Sequence, residues 1–360
     1  MEQRTYKLRD FAQDISVAVK DAQSHLLDKF VGLEHYDSGE PVITRYTDTS
    51  LITSSVKEFH KNDILIARRN VYLKRAGIAF FDGLTSGDSI ILRIFDDSEK
   101  RTGIPKEDAV KIIPFVLNSN DFWAYANKHA DGMNSKRISK EMLYDYEFSL
   151  PSLSEIRQLY SKLWAAYNLK EAYKKLLSAT DEMVKSQFIE MFKNDKMVPL
   201  GKFCSIEKGS TITRNEVSPG DIPVVAGGQE PSCYHNVSNR EAGMITVSAS
   251  GAYAGFVNYW TCPIFASDCN TISPKEKNAT DTTFLFYGMK ALQKHIYGLQ
   301  KGGAQPHVYG KDLQNLLFPL PTIDKQSSFS RIAQQADKSK FELRKSIEAI
   351  DAVIKSLING

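Results

Sequence analysis

Long apolar runs are missing from these 360 residues, and none approaches the roughly 20 residues that a membrane-spanning helix needs. The opening stretch, MEQRTYKLRD, is polar and charged, so no secretory signal is expected. Cysteine is scarce. Cys204, Cys233, Cys262 and Cys269 all lie in the second half, without a C-x-x-C spacing. That pattern leads to the expectation of free thiols in a reducing cytoplasm and of no zinc site. The seven histidines form no H-x-x-x-H pair, so no metal ligands are assigned. No Pro-Pro occurs, which removes the (Asn/Asp)-Pro-Pro-(Tyr/Phe) segment that grips an adenine amine for methylation. No Asp/Glu-x-Lys triplet occurs either, and nucleases of the restriction type use one to hold a metal. A G-x-G-x-x-G or P-loop phosphate cradle is also lacking. No catalytic residue is assigned: these absences do not exclude an enzyme, but nothing positive favours one.

Charge excludes little. The net charge of +3 and pI near 8.4 fall short of the strongly basic range that flags a nucleic-acid binder by itself. Any such contact must come from local clustering. Hydrophobic content of 42% and charged content of 25% are those of a globular protein, and the length favours two domains over one core.

What the chain does have is two long heptad helices. From residue 154 to 191 the positions Leu159, Leu163, Ala166, Lys170, Tyr173, Leu177, Thr180 and Val184 alternate in steps of four and three. From 324 to 359 the positions Phe329, Ala333, Ala336, Lys340, Leu343, Ile347, Ile350 and Ile354 do the same, each 170 positions later. Leu150-Pro-Ser-Leu153 leads into the first, and Leu320-Pro-Thr-Ile323 into the second. Leu169, Leu176 and Phe188 fall beside the first seam and read as a face left for partners.

The segments between the helices repeat as well. Val198-Pro-Leu-Gly-Lys-Phe203 matches Tyr6-Lys-Leu-Arg-Asp-Phe11. The strand expected at residues 242–248 matches the one at 61–67, and Ala254-Gly-Phe-Val257 matches Ala76-Gly-Ile-Ala79. Gly302-Gly-Ala-Gln-Pro-His-Val308 takes the place of residues 131–138. The offset shrinks from 192 to 170, so the first copy carries about 22 additional residues, expected in loops. Further expectations are strands at 64–67, 76–81 and 89–95, a surface loop at 96–107, and one helix over 111–129. The segments are 1–150, 151–196, 197–321 and 322–360.

This order of domain, proline-led helix, domain, proline-led helix resembles the specificity subunit of type I restriction-modification systems. Leu317-Phe-Pro-Leu-Pro321, Ile222-Pro-Val-Val-Ala-Gly227 and Gly302-Gly-Ala-Gln-Pro-His307 ahead of Tyr309-Gly-Lys-Asp-Leu313 carry the local match. The resemblance implies an α+β fold: two mixed α/β target recognition domains, each followed by a long helix, with the helices paired as an antiparallel coiled coil. It implies double-stranded DNA as ligand, read as two half-sites, with methyltransferase and restriction subunits as partners and no membrane. S-adenosylmethionine, Mg²⁺ and ATP would belong to those partners, leaving no cofactor in this chain. A helix of about 36 residues is roughly 54 Å long, enough to span a DNA turn of about 34–36 Å.

Base reading calls for Arg opposite guanine and Asn or Gln opposite adenine, and phosphate contact for Lys, Arg, hydroxyls and amides. The densest basic cluster is Arg68, Arg69, Asn70, Lys74 and Arg75, with Tyr72 inside it. As a charge run it reads equally as a solvated hairpin. Asn134, Ser135, Lys136 and Arg137 form a second polar loop. In the second domain the candidates are Lys208, Arg214, Ser248, Ser250, Tyr253, Gln305 and His307. Residues 208–214 are either a phosphate clamp or a turn, and Gly302-Gly is first a turn signal. The rival readings are a coiled-coil scaffold whose domains bind protein, and a self-sufficient enzyme.

Overall fold

The computed structural model describes residues 3–23, 25–133, 135–276 and 278–359. The chain divides into two compact units, Met1–Glu171 with Ile347–Gly360, and Ala172–Ser346. Each unit therefore takes a piece of both long helices, whereas the four sequence segments keep those helices whole.

In the first unit an antiparallel core sheet orders Ala12–Asp14, Ser89–Ile94, Ile64–Ala67 and Ala76–Ala79, with Val42–Ile43 added in parallel at the edge. Ile64, Leu65 and Ile66 are all buried because both faces of this sheet are covered. A second sheet of five strands contains Val17–Val19 and Val56–Phe59, so part of the additional length expected in loops forms strands instead. Residues 96–107 are not a loop throughout. Ser98–Thr102 is helical because the Ser98 and Thr102 hydroxyls turn inward to bond the Ile104 and Ser98 carbonyls. The helix expected over 111–129 is two helices, Lys106–Val116 and Asn120–Lys128. Ser119 breaks it, capping the second by accepting from the Phe122 amide.

The second unit repeats that core with fewer strands. Its four-stranded antiparallel sheet runs Cys204–Lys208, Cys269–Pro274, Met244–Ser248, Val257–Trp260. A three-stranded sheet, Cys233–His235, Ile222–Val225 and Phe265–Ala266, lies in the place of the five-stranded one. Each unit also pairs its first strand with the strand before a long helix: Arg4–Lys7 with Glu147–Leu150, and Met197–Pro199 with Leu317–Pro319. One correspondence shifts. Ala254 and Gly255 lie in a turn, and the strand matching Ala76–Ala79 starts three residues later at Val257, where the ladder with Val247 begins.

The long helices are Leu153–Phe192 and Ile323–Asn359. In the first unit Leu159 and Leu163 share a cavity wall with Leu357 and Ile358, and farther along Lys170 meets Asp351. In the second unit Phe192 packs on Phe329, and farther back Asp181 meets Lys340. Both pairings are antiparallel. Lys170 and Lys340 are buried seam residues. Phe188 is not surplus apolar surface; it is buried among Phe192, Phe284, Phe318 and Phe329. Leu169 and Leu176 do remain exposed.

Candidate nucleic-acid interface

Two loops meet in each unit, and they meet in the same way. In the first unit a hairpin loop, residues 68–75, joins Ile64–Ala67 to Ala76–Ala79; in the second, residues 249–256 join Met244–Ser248 to Val257–Trp260. The other loop is 131–138 or 301–308. The Ile138 amide donates to the Arg68 carbonyl at 3.0 Å and the Asn70 amide to the Lys136 carbonyl at 2.7 Å. Their equivalents are Val308 to Ala249 at 2.9 Å and Gly251 to Pro306 at 3.0 Å. Asp131 and Arg137 exchange two backbone bonds, as do Lys301 and His307. Gly132 (φ 123°) and Gly302 (φ 95°) make these tight loops possible, since a Cβ at either would fall 2.9 Å from a carbonyl oxygen, that of Ser135 or Gln305.

A carboxylate sits beside each loop pair. The Arg68 amide donates to the Asp88 carbonyl at 3.0 Å, and the Ala249 amide to the Asp268 carbonyl at 3.1 Å. The Asp88 side chain lies 3.4 Å from Arg137 and 3.9 Å from both Arg68 and Arg69. One negative charge thus gathers three guanidiniums and leaves a local positive surplus. Lys57 adds to it from below, donating to the Ser89 carbonyl at 2.8 Å, with burial drawing its pKa below the ordinary lysine value. Asp268 accepts from the Ser250 hydroxyl. Neither aspartate is among the residues singled out from the sequence; the signal available there is that each directly precedes an interior strand of its sheet.

The named candidates divide by what their side chains do. Exposed Arg69 bridges the loops by donating to Ser135 Oγ at 2.7 Å, and that hydroxyl lies 3.3 Å from Asn70 Oδ1. Lys74, Lys136 and Arg137 are exposed, and Arg68 is half-buried. Arg75 is spent bracing its loop, donating to the carbonyls of Arg69 within it at 2.8 Å and Leu33 outside it at 2.9 Å. Asn134 lies outside the described residues. In the second unit Tyr253 and Gln305 are exposed, and the half-buried His307 ring stacks on Tyr309 at 6.0 Å. Ser248 is buried, its hydroxyl donating to the Gly228 carbonyl at 3.3 Å. Exposed Lys208 ends a strand opposite Asn270, whose amide donates to the Val308 carbonyl at 3.1 Å. Arg214 stands in a turn closed by Thr213 and Glu216, which no hydrogen bond among the described residues joins to the loops. No group of three or more His, Cys, Asp or Glu among the described residues is arranged to hold a metal ion.

The architecture is therefore a duplicated loop pair on a mixed α/β core, with paired helices in each unit. Residues 193–351 match the family model of the type I restriction modification DNA specificity domain. It is 27% identical over 108 residues to the specificity subunit of the type I restriction enzyme MjaVIII of Methanocaldococcus jannaschii. That match spans 30% of this chain and only 25% of the relative's length. Among solved structures, the S subunit of the type I restriction-modification system from M. genitalium aligns with a TM-score of 0.56 at 15% identity, covering 99% of this chain and 95% of that one. A chain of a type I restriction-modification system, solved to explain complex assembly and conformational transition, aligns with a TM-score of 0.55 at 16% identity, covering 99% and 96%. At these identities the likeness is one of fold, and it runs through both repeats.

Proposed function

We propose that the chain is a non-catalytic specificity subunit that binds double-stranded DNA and reads a bipartite target, one half per repeat. The observation that carries this reading is the recurrence of one loop constellation, hydrogen bond for hydrogen bond, in both units. Side chains differ on that common frame: arginines around Asp88 in the first, and Ser250, Gln305 and His307 in the second. One frame with two sets of readers is what two different half-sites require. Methyltransferase and restriction subunits are the proposed protein partners, and S-adenosylmethionine, Mg²⁺ and ATP would be bound by them. Apolar surface on the long helices supports docking. In the second unit a groove of about 920 Å³ is lined by Tyr173, Leu176, Met183, Ile332 and Leu343. No described helix is long and apolar enough to cross a membrane, and the proposed location is the cytoplasm, where DNA and these partners meet.

Methylation-site sequencing of cells carrying the chain with its partner subunits tests the proposal. A bipartite adenine motif is expected, and exchange of residues 1–150 for another protein's domain changes only one half of it. A change in both halves would falsify modular reading. If the domains bind protein instead, the purified chain shows no DNA affinity that falls steeply with salt.

A further inference from the structure

Tyr72 and Tyr253 occupy the same place in the two repeats, 181 positions apart, at the centre of the hairpin turn. In the first turn Asn70 (φ 54°) and Lys74 (φ 51°) take left-handed conformations on either side of residues 71–73; in the second, Gly251 (φ 81°) and Gly255 (φ 92°) do so around residues 252–254. Glycine adopts that backbone freely, but lysine does so only with strain between its Cβ and the following carbonyl. The first turn therefore holds a costly conformation that the second reaches with glycines. It is held by the bond from Asn70 to Lys136, by the Gly39 amide donating to the Lys74 carbonyl at 2.7 Å, and by Arg75 spanning to Arg69 and Leu33. Such strain persists where surrounding structure imposes it, and it concentrates at functional sites.

What the turn presents is an aromatic ring. Tyr72 is 60% exposed and Tyr253 47%. Among the described residues neither ring has a stacking partner, and neither hydroxyl makes a hydrogen bond. The braced backbone of the turn has little freedom left to lose when the tyrosine is covered, and a tyrosine side chain has only two torsions to fix. Arg68, Arg69, Lys74 and Arg137 surround Tyr72 in sequence or in hydrogen-bonded loop partners. An occupant must therefore carry dense negative charge and offer flat apolar faces. Nucleic acid meets both requirements, with phosphates for the guanidiniums and base or sugar faces for the ring.

We infer that Tyr72 and Tyr253 are equivalent DNA-contacting residues, one per half-site, whose rings pack on a base or deoxyribose face. This rests on the DNA-binding reading and adds an apolar contact to it. The contact carries no charge, so it acts at every salt concentration, whereas the arginines act through counterion release.

The two contributions separate in a salt series. Full-length wild type, Tyr72→Ala, Tyr253→Ala, Tyr72→Phe and the control Tyr234→Ala are titrated by fluorescence anisotropy with a random-sequence duplex pool. Plots of log affinity against log salt for the two alanine variants should run parallel to wild type but lower by about fivefold to a hundredfold, the usual loss for one stacked aromatic. Tyr72→Phe keeps the ring and should retain the wild-type line. Tyr234 is exposed on a strand elsewhere in the second unit, and its variant should also retain that line. Tyrosine lines that superpose on wild type overturn this inference while leaving DNA binding intact. A Tyr72→Phe line as low as the alanine line overturns ring packing in favour of a hydroxyl contact, and an equal fall in Tyr234→Ala overturns the assignment to these positions. A wild type without salt-dependent binding overturns the functional reading itself.

Discussion

In the helix seam Lys170 Nζ lies 2.8 Å from Asp351, and the repeat sends that pair onto Lys340 and Asp181, also 2.8 Å apart. A buried lysine in an apolar seam fixes register, because sliding either helix would strand the ammonium. The two lysines differ in what else they touch. Lys170 also holds Glu40, whose side chain is 19% exposed, whereas Asp181 is 60% exposed and Asp337, the other carboxylate on Lys340, is about half exposed. Burial alone would lower the Lys340 pKa, but its bonds to Asp181 and Asp337 outweigh that and hold it above the ordinary lysine value. Lys340→Leu leaves two solvated carboxylates and a Tyr287 hydroxyl that still donates to Asp337, and should change stability by less than about 1 kcal/mol. Lys170→Leu removes a buried ammonium that makes three bonds of 2.8 Å, two to Glu40 and one to Asp351, and should cost about 1–3 kcal/mol. Urea melts of the two variants check the order, and equal losses would refute the distinction.

The arginine cluster makes a separate prediction about charge. Arg69→Ala removes a positive group from the loop pair and should make the salt dependence of DNA binding shallower by about 0.9 for each phosphate that Arg69 neutralises. Asp88→Asn removes the carboxylate that gathers Arg68, Arg69 and Arg137. It should raise affinity for random duplex at low salt while blurring the motif only in the first half-site. Anisotropy titrations and methylation mapping read the two effects. Asp88→Asn weakening random-duplex binding would argue against the carboxylate's restraining role.

How much of this is legible in the sequence depends on the range of the forces involved. The long helices are plain because a heptad is written in local spacing, and observed ends fall within a residue of those read from residues 154–191 and 324–359. Strands such as Ile64–Ala67 declare themselves as apolar runs. The three-residue shift at Val257 does not, because Ala-Gly occurs in both repeats but only the ladder decides which copy is extended. The basic cluster is visible as composition. That Arg75 braces the turn while Arg69 bridges to Ser135 is not, since each depends on a backbone or hydroxyl brought from elsewhere in the chain. Asp88 and Asp268 stay hidden for the same reason: an isolated aspartate before a strand resembles any turn residue until its partners fold onto it.

Gly288 tests packing in the second unit. A Cβ there would lie 2.3 Å from the Phe318 ring and 2.6 Å from that of Phe188, both held in a cluster of five phenylalanines. Neither ring can yield without disturbing Phe284, which packs against both. Although alanine is the better helix former, Gly288→Ala should destabilise by about 1–3 kcal/mol through overpacking. A variant at least as stable as wild type in a thermal melt would mean that the rings have room to move.

The cysteines give a prediction in which pH sets the sign. Cys204 and Cys269 are buried in strands of the second unit, and burial pushes both thiols up from the ordinary 9.0 to about 12. The folded state keeps these protons where the unfolded chain loses them. Their contribution to stability is thus complete below pH 9 and is lost as pH rises from there toward 12. Each pH unit in that window should cost up to about 1.4 kcal/mol per thiol. Urea melts between pH 8 and roughly 10.5 should show this slope, and a Cys204→Ala, Cys269→Ala variant should flatten it. Thiol labelling offers an independent check at constant pH, because the thiolate is the reactive form. Cys262 is exposed and should react first, Cys233 is half-buried and should follow, and the two buried thiols should react only on unfolding. Native-state labelling of Cys269 as fast as that of Cys262 would place it at the surface and remove the basis for the pH slope.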